Sequence, residues 1–286
     1  MSLNKRIINS AVSAAPPSPD PVGVPVGATY VGYGTTFRTP VMLNFGWSGS
    51  VIYDRYGDTS TDNGRYRIRG IGMSTPYDIT TLTTTTVYDV SSSGSSGRFE
   101  SLVMEQSEVR GYCHDSTIGR AFNPNQYIGF PIFYGGGSAQ NIYFHDSGRY
   151  VIGHSTSGGQ KMYRREYPAG SYDDVGVDTD STTNVLYDVA GLVPSGQTST
   201  VPLSISVINQ GNNFVLIDTA NSLLKIYSLA TPYDFTSWAF IRDIAIPTSD
   251  TTIVGTQARI FCHSMGGYLF AVRTGQTRVH QFQWVF

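Results

Sequence analysis

From about residue 37 the chain runs in short stretches of alternating apolar and polar positions, each broken by a tight cluster of turn residues. Val41-Met42-Leu43-Asn44-Phe45 reaches Gly46-Trp47-Ser48-Gly49-Ser50 and resumes as Val51-Ile52-Tyr53. Ile142-Tyr143-Phe144 turns at His145-Asp146-Ser147-Gly148 and resumes as Tyr150-Val151-Ile152. Ile205-Ser206-Val207-Ile208 turns at Asn209 to Asn213 and resumes as Phe214-Val215-Leu216-Ile217. Ile260-Phe261-Cys262 turns at His263 to Gly267 and resumes as Tyr268-Leu269-Phe270-Ala271-Val272. A period of two is that of a pleated strand, whose side chains point alternately to opposite faces. Each pair of runs therefore predicts an antiparallel hairpin, with Gly and Asn supplying the positive φ of the turn.

The turn glycines Gly49, Gly148, Gly211 and Gly266 are separated by 99, 63 and 55 residues. The first interval is close to two units, which predicts a degraded unit around Leu102-Val103-Met104 and Val109-Arg110-Gly111-Tyr112-Cys113. The run Thr83 to Val90 echoes the run Thr182 to Val189, and Tyr88 lies 99 residues before Tyr187. A phrase also recurs: Thr75-Pro76-Tyr77-Asp78-Ile79-Thr80 and Thr231-Pro232-Tyr233-Asp234-Phe235-Thr236, each after a strand-like run. Five units of about fifty residues fill the span from about 35 to 286. Four-stranded antiparallel units at this period predict a β-propeller, in which each blade buries its faces only against its neighbours. A pair of β-sandwiches gives no reason for a phrase to recur at the same place in the unit. The C-terminal run Val279 to Phe286 alternates and reads as the strand that closes the ring. Within the phrase, Pro76 and Pro232 end their strands, Asp78 and Asp234 accept from backbone N–H groups just downstream, and Tyr77 and Tyr233 pack back on the blade. This makes the phrase a structural corner rather than a ligand site.

Residues 1–30 follow another pattern. Ala15-Pro16-Pro17-Ser18-Pro19-Asp20-Pro21 and Val24-Pro25-Val26-Gly27 suit neither a central strand nor a helix interior and predict an extended arm near polyproline II. Leu3-Asn4-Lys5-Arg6-Ile7-Ile8-Asn9 ahead of it is short and amphipathic. The arm has no core of its own, so it is expected to dock on a partner through Leu3, Ile7, Ile8, Pro16, Pro17 and Pro19. The domain division that follows is an arm at 1–30 and a propeller at 31–286.

Composition narrows the picture. The formal net charge of −2 argues against a dedicated nucleic-acid binder, which shows a basic stripe. Lys occurs only at Lys5, Lys161 and Lys225, and Glu only at Glu100, Glu105, Glu108 and Glu166, while Tyr, Thr, Ser and Gly dominate. Residues that build long solvent-facing helices are scarce and those of strands and turns abundant, so the chain reads as all-β. No run is long and apolar enough to span a bilayer, and no apolar core of signal-peptide length follows Lys5 and Arg6. Cys113 and Cys262 lie in strand-like runs and read as buried thiols, with one disulfide as the alternative.

Candidate chemistry is thin. Cys262-His263-Ser264-Met265-Gly266-Gly267 nearly spells a nucleophile elbow, but its first Gly is Cys262 and no acid follows Ser264. Cys113-His114-Asp115 with Cys262-His263 has adjacent residues where a strand sends side chains to opposite faces, a poor zinc spacing. The acidic loops Asp58 to Gly64 and Asp173 to Ser181 lack the closing Glu of a calcium loop. Glu105 and Glu108 are a nominal carboxylate pair. Trp47, Trp238 and Trp284 with the many tyrosines could form a sugar-stacking platform, although a propeller needs most of them as core. No catalytic residue, metal or cofactor is expected.

The phrase Leu/Met-Ser/Ala-Thr-Pro-Tyr-Asp-Ile/Phe-Thr with its upstream hairpin resembles repeats of β-propeller proteins in tailed-bacteriophage virions and in some bacterial surface proteins. The opening Leu3 to Asn9 resembles the start of many phage virion proteins. The resemblance implies a non-enzymatic structural protein of the virion, tail-associated and involved in host attachment. It would meet other virion proteins through residues 1–30, contact a host surface glycan and assemble as a homo-oligomer. A capsid decoration or head-fibre protein is the alternative within that family. A carbohydrate-binding or glycan-cleaving bacterial propeller is the alternative outside it.

Overall fold

The computed structural model describes residues 23–35, 43–45, 49–56, 67–89, 101–104, 111–114, 119–123, 126–128, 139–145, 150–155, 159–166, 185–195, 203–247, 258–262, 267–273 and 277–286. Among them the strands form five four-stranded antiparallel sheets. A first strand, β1 (Gly27–Gly34), stands apart in sequence from its partners. Blade 1 is β2 (Leu43–Phe45), β3 (Val51–Tyr56), β4 (Arg67–Met73) and β5 (Leu82–Asp89). Blade 2 is β6 (Ser101–Met104), β7 (Gly111–His114), β8 (Gly119–Asn123) and β9 (Gln126–Ile128). Blade 3 is β10 (Ala139–His145), β11 (Tyr150–Ser155), β12 (Lys161–Glu166) and β13 (Val185–Asp188). Blade 4 is β14 (Ile205–Ile208), β15 (Asn213–Asp218), β16 (Leu223–Leu229) and β17 (Trp238–Ala245). Blade 5 is β18 (Ala258–Cys262), β19 (Tyr268–Arg273) and β20 (Val279–Val285), completed by β1 in the order β1-β20-β19-β18.

The chain is a five-bladed β-propeller. First strands meet as β2 with β6, β6 with β10, and β14 with β18. Blades 3 and 4 share a core that includes Ile152, Met162, Tyr187, Phe214, Tyr227 and Phe235. Blades 4 and 5 share Val215, Ile217, Ile226, Leu269, Ala271 and Phe282. Blades 5 and 1 share Ile52, Ile71, Ile79, Phe270, Val272 and Val279. Blade 4 is covered by blade 3 on one face and by blade 5 on the other, which is why β14 and β15 are buried at every position.

Two expectations need correction. The C-terminal run is a strand of the pair that closes the ring, but not the outer one: β20 is the third strand of its blade, and β1 pairs along it from Gly27↔Val285 to Gly34↔Val279. The boundary at residue 30 therefore falls inside β1, and the last residues assigned to the arm belong to the propeller. The unit structure itself holds. Every quoted hairpin is the first-to-second turn of a blade, and the degraded unit is blade 2, with strands of three to five residues. Tyr88 and Tyr187 are equivalent, each facing the second residue of its third strand (Ile68 and Met162).

The outer strands share a further detail. The ladder slips by one residue between Tyr30 and Gly32 in β1, at Ile226/Tyr227 against β17, and at Ile71/Met73 against β5. A bulge at this place bends the outer edge and blunts it against strand addition.

Candidate functional site

The structure is most informative where the chain enters the ring and at the two copies of the phrase. The loops between first and second strands and those between third and fourth strands lie on one face of an antiparallel meander, called here the upper face. The chain enters there. The Gly23 N–H donates to Asn209 Oδ1 at 3.1 Å, and Asn209 Nδ2 donates to Asn213 Oδ1 at 2.6 Å. Asn209 opens the β14–β15 turn, so Gly23 sits on the inner turn of blade 4. Val24 then packs on the core between blades 4 and 5, Pro25 is buried, and the Val26 N–H donates to Val285 O at 2.7 Å. This last bond stands where a covalent third-to-fourth connection stands in the other blades. Around it Val26, Val285 and Phe286 are exposed apolar residues.

The two phrase loops share their main contacts. Tyr77 and Tyr233 have φ of 62° and 60°, an uncommon region for a bulky residue. Each is held there twice. Tyr77 N–H donates to Gly49 O at 2.8 Å and Tyr233 N–H to Gly211 O at 2.9 Å. Each ring lies flat over the same glycine, so that a Cβ on Gly49 or Gly211 would stand 2.3 or 2.4 Å from a ring carbon. Gly49 and Gly211 also have φ of 71° and 86°, so both need to be glycine. Asp78 Oδ1 accepts from the Thr80 N–H at 2.9 Å and the Thr80 hydroxyl at 2.6 Å. Asp234 Oδ1 accepts from the Thr236 N–H at 2.9 Å and hydroxyl at 2.7 Å. The Thr236 N–H, and after it the Thr236 hydroxyl, hold the Asp234 carboxyl below the usual carboxylate range. Ile79 and Phe235 insert into the cores between blades. The corner reading of the phrase is right, and the corner is also a joint between blades.

That joint has a partner that sequence reasoning missed. Gln281 of blade 5 donates from Nε2 to Tyr77 O at 2.5 Å and accepts the Ile79 N–H at 3.0 Å. Arg164 of blade 3 donates from Nη1 to Tyr233 O at 3.2 Å. Both occupy one register position, opposite the third residue of the second strand: Phe270↔Gln281 and Ile152↔Arg164. The same position holds Gly70 in blade 1 and Ile226 in blade 4, and the blades after those two, 2 and 5, carry no phrase. In blade 2 it holds Arg120, and blade 3 makes its third-to-fourth connection outside the described residues. The signal in sequence was a polar residue on a central strand, visible only once blade order is known.

The expected docking residues Leu3, Ile7, Ile8, Pro16, Pro17 and Pro19 lie outside the described residues, as do Gly148, Gly266, Ser264, Glu105, Glu108, Trp47 and both acidic loops. Cys113 and His114 are on β7 and Cys262 on β18, in blades 2 and 5. Among the described residues, no three His, Cys, Asp or Glu side chains gather as metal ligands would. Trp284 is core, and Trp238 is half-buried and packs edge-on to Tyr227 at 5.6 Å. Among the described residues no helix is long and apolar enough to cross a membrane.

No protein-family model and no curated protein matches the sequence. Solved structures similar in backbone include the β-propeller domain of Cps50 (Swd1) from Myceliophteria thermophila, with a TM-score of 0.44 at 9% identity, covering 85% of this chain and 82% of that one. A chain of a nidogen/laminin complex gives a TM-score of 0.48 at 11% identity, covering 83% and 73%. Hsv2 from Kluyveromyces lactis gives 0.41 at 12% identity, covering 72% and 62%. At such identities nothing about ligands or partners carries over.

Proposed function

We propose that this chain is a non-enzymatic structural protein of a tailed-bacteriophage particle, associated with the tail and taking part in host attachment. In this reading residues 1–22 form the attachment arm and the propeller is the projecting body. The reading draws on the resemblance of the phrase and of Leu3 to Asn9 to phage virion proteins. The observation that carries it is the entry point of the arm. Gly23 is tied to the inner turn of blade 4, Val24 is half-buried against the core and Pro25 is buried, so the arm departs from one fixed place on the upper face. An extended, Pro-rich segment loses little conformational freedom on docking, and its rigid root orients the body relative to whatever holds the arm.

The test is incorporation. Full-length protein and a form lacking residues 1–22 are offered to particles of the phage that encodes the chain, produced without it. The truncated form keeps β1, so it is expected to fold and to stay off the particle. Normal incorporation of the truncated form would move the attachment surface to the propeller and remove the arm from the account.

A further inference from the structure

The ring closes without a covalent link, because β1 comes from one end of the chain and β20 from the other. An outer strand joined to its sheet by one ladder is the element most prone to local opening. One loop of the neighbouring blade touches both strands of that ladder. On β20, Gln281 makes two hydrogen bonds to the loop, at Tyr77 O and the Ile79 N–H. On β1, Gly32 leaves the space that the Thr80 methyl fills, 2.8 Å from where a Cβ would stand. Between these contacts Ile79 is buried against Val279, Val272 and Phe270 of blade 5. The loop is itself fixed to blade 1 by Tyr77 on Gly49 and by Asp78 on Thr80.

We propose that the Thr75–Thr81 loop is the latch of the ring: it holds the non-covalent β1–β20 joint shut by gripping both strands from blade 1. The copy in blade 4 grips a joint that is covalently continuous, since β13 follows β12 in the chain. The two copies thus share a geometry and differ in what fails when they let go. Losing the grip of Arg164 loosens one interface. Losing the grip of Gln281 frees β1 and with it the root of the arm. The latch stands on contacts within the ring and holds whatever the arm binds.

Amide hydrogen exchange on the full chain tests this without any partner. Gln281→Leu removes both bonds, and Arg164→Leu is the matched change at the other copy. In Gln281→Leu the amides of Gly27–Gly34 are expected to exchange about tenfold faster, the effect of one or two lost hydrogen bonds on a local opening, while β15 and β16 keep their protection. In Arg164→Leu the β1 amides should keep the wild-type rate. Unchanged β1 exchange in Gln281→Leu, or an equal rise in both variants, would overturn the latch. If Gln281→Leu does not fold, Thr80→Ser serves instead. It deletes the methyl over Gly32 and keeps the hydroxyl on Asp78. It is expected to raise β1 exchange severalfold, and an unchanged rate would overturn the latch equally.

Discussion

The junction of blades 5 and 1 and the junction of blades 3 and 4 carry the same phrase loop, and they are built of different material around it. At blades 3 and 4 the filling is aromatic. Phe214 stacks on Tyr227 at 4.8 Å, and Phe235 meets both Phe214 and Tyr187 at 5.6 Å. At blades 5 and 1 the filling is mostly aliphatic, and it borders a buried ion pair. Asp54 is fully buried and Arg69 nearly so, joined through Nε at 2.9 Å and Nη2 at 2.5 Å. Strand alternation puts Asp54 on the side of β3 that Ile52 turns to blade 5. The residues in register at the other junction are Leu216 and Lys225. One loop design therefore tolerates either core, because what it needs from the neighbouring blade is a donor for the Tyr carbonyl and a place for Ile79 or Phe235.

The largest effect expected on this comparison comes from the ion pair. Asp54→Ala leaves Arg69 buried beside a lost partner and is expected to lower stability by about 3–5 kcal/mol. The double variant Asp54→Leu with Arg69→Met replaces the pair by apolar side chains of similar size and should recover most of that loss. Denaturant unfolding of the three proteins decides it. A double variant as unstable as Asp54→Ala would show that the pair does more than fill space.

Next come the two glycines beneath the tyrosines. Gly49→Ala and Gly211→Ala each force a Cβ into an aromatic ring at a left-handed position, and each is expected to cost roughly 2–4 kcal/mol. Because Tyr77 and Tyr233 sit alike on their glycines, the two losses should agree within about 1 kcal/mol, the scatter that context brings to one chemistry. Melts that separate the variants widely would mean that the loops are not equivalent after all.

These glycines show which part of the fold was legible in the sequence. A hairpin turn with positive φ restricts its residue type locally, so Gly49 and Gly211 mark their blades wherever the blades sit. Asp78 and Asp234 bond within two residues, and their role was readable for the same reason. The strand β1 was not readable. Its sequence, Gly-Ala-Thr-Tyr-Val-Gly-Tyr-Gly, mixes four strand formers with three glycines and follows a Pro-rich stretch, and its pairing with Val279–Val285 decides it. That pairing spans nearly the whole chain, which no local pattern announces. The grip of Gln281 on Tyr77 was hidden in the same way. Closure assigns blade 5 as the neighbour of blade 1, and until then a glutamine on a buried strand has no visible partner.

The smallest effect belongs to the aspartates of the phrase, and it has a pH signature. Asp234→Ala deletes the bonds from the Thr236 N–H and hydroxyl, both near the surface, and is expected to lower stability by about 1 kcal/mol at neutral pH. Asp78→Ala deletes the same two bonds at the other junction and should cost a similar amount. For Asp234 the sign of the pH dependence follows from its depressed pKa. The folded state binds the proton more weakly than the unfolded chain, so the contribution of the carboxylate is full above the unfolded value of about 4 and is lost as pH falls through the lower folded value. The gap in stability between wild type and Asp234→Ala should therefore hold steady from neutral pH down to about 5 and narrow below about 4. Urea unfolding across that range reads it directly. A gap that stays constant into strong acid would mean that the bonds matter as geometry alone, with no contribution from the charge of Asp234.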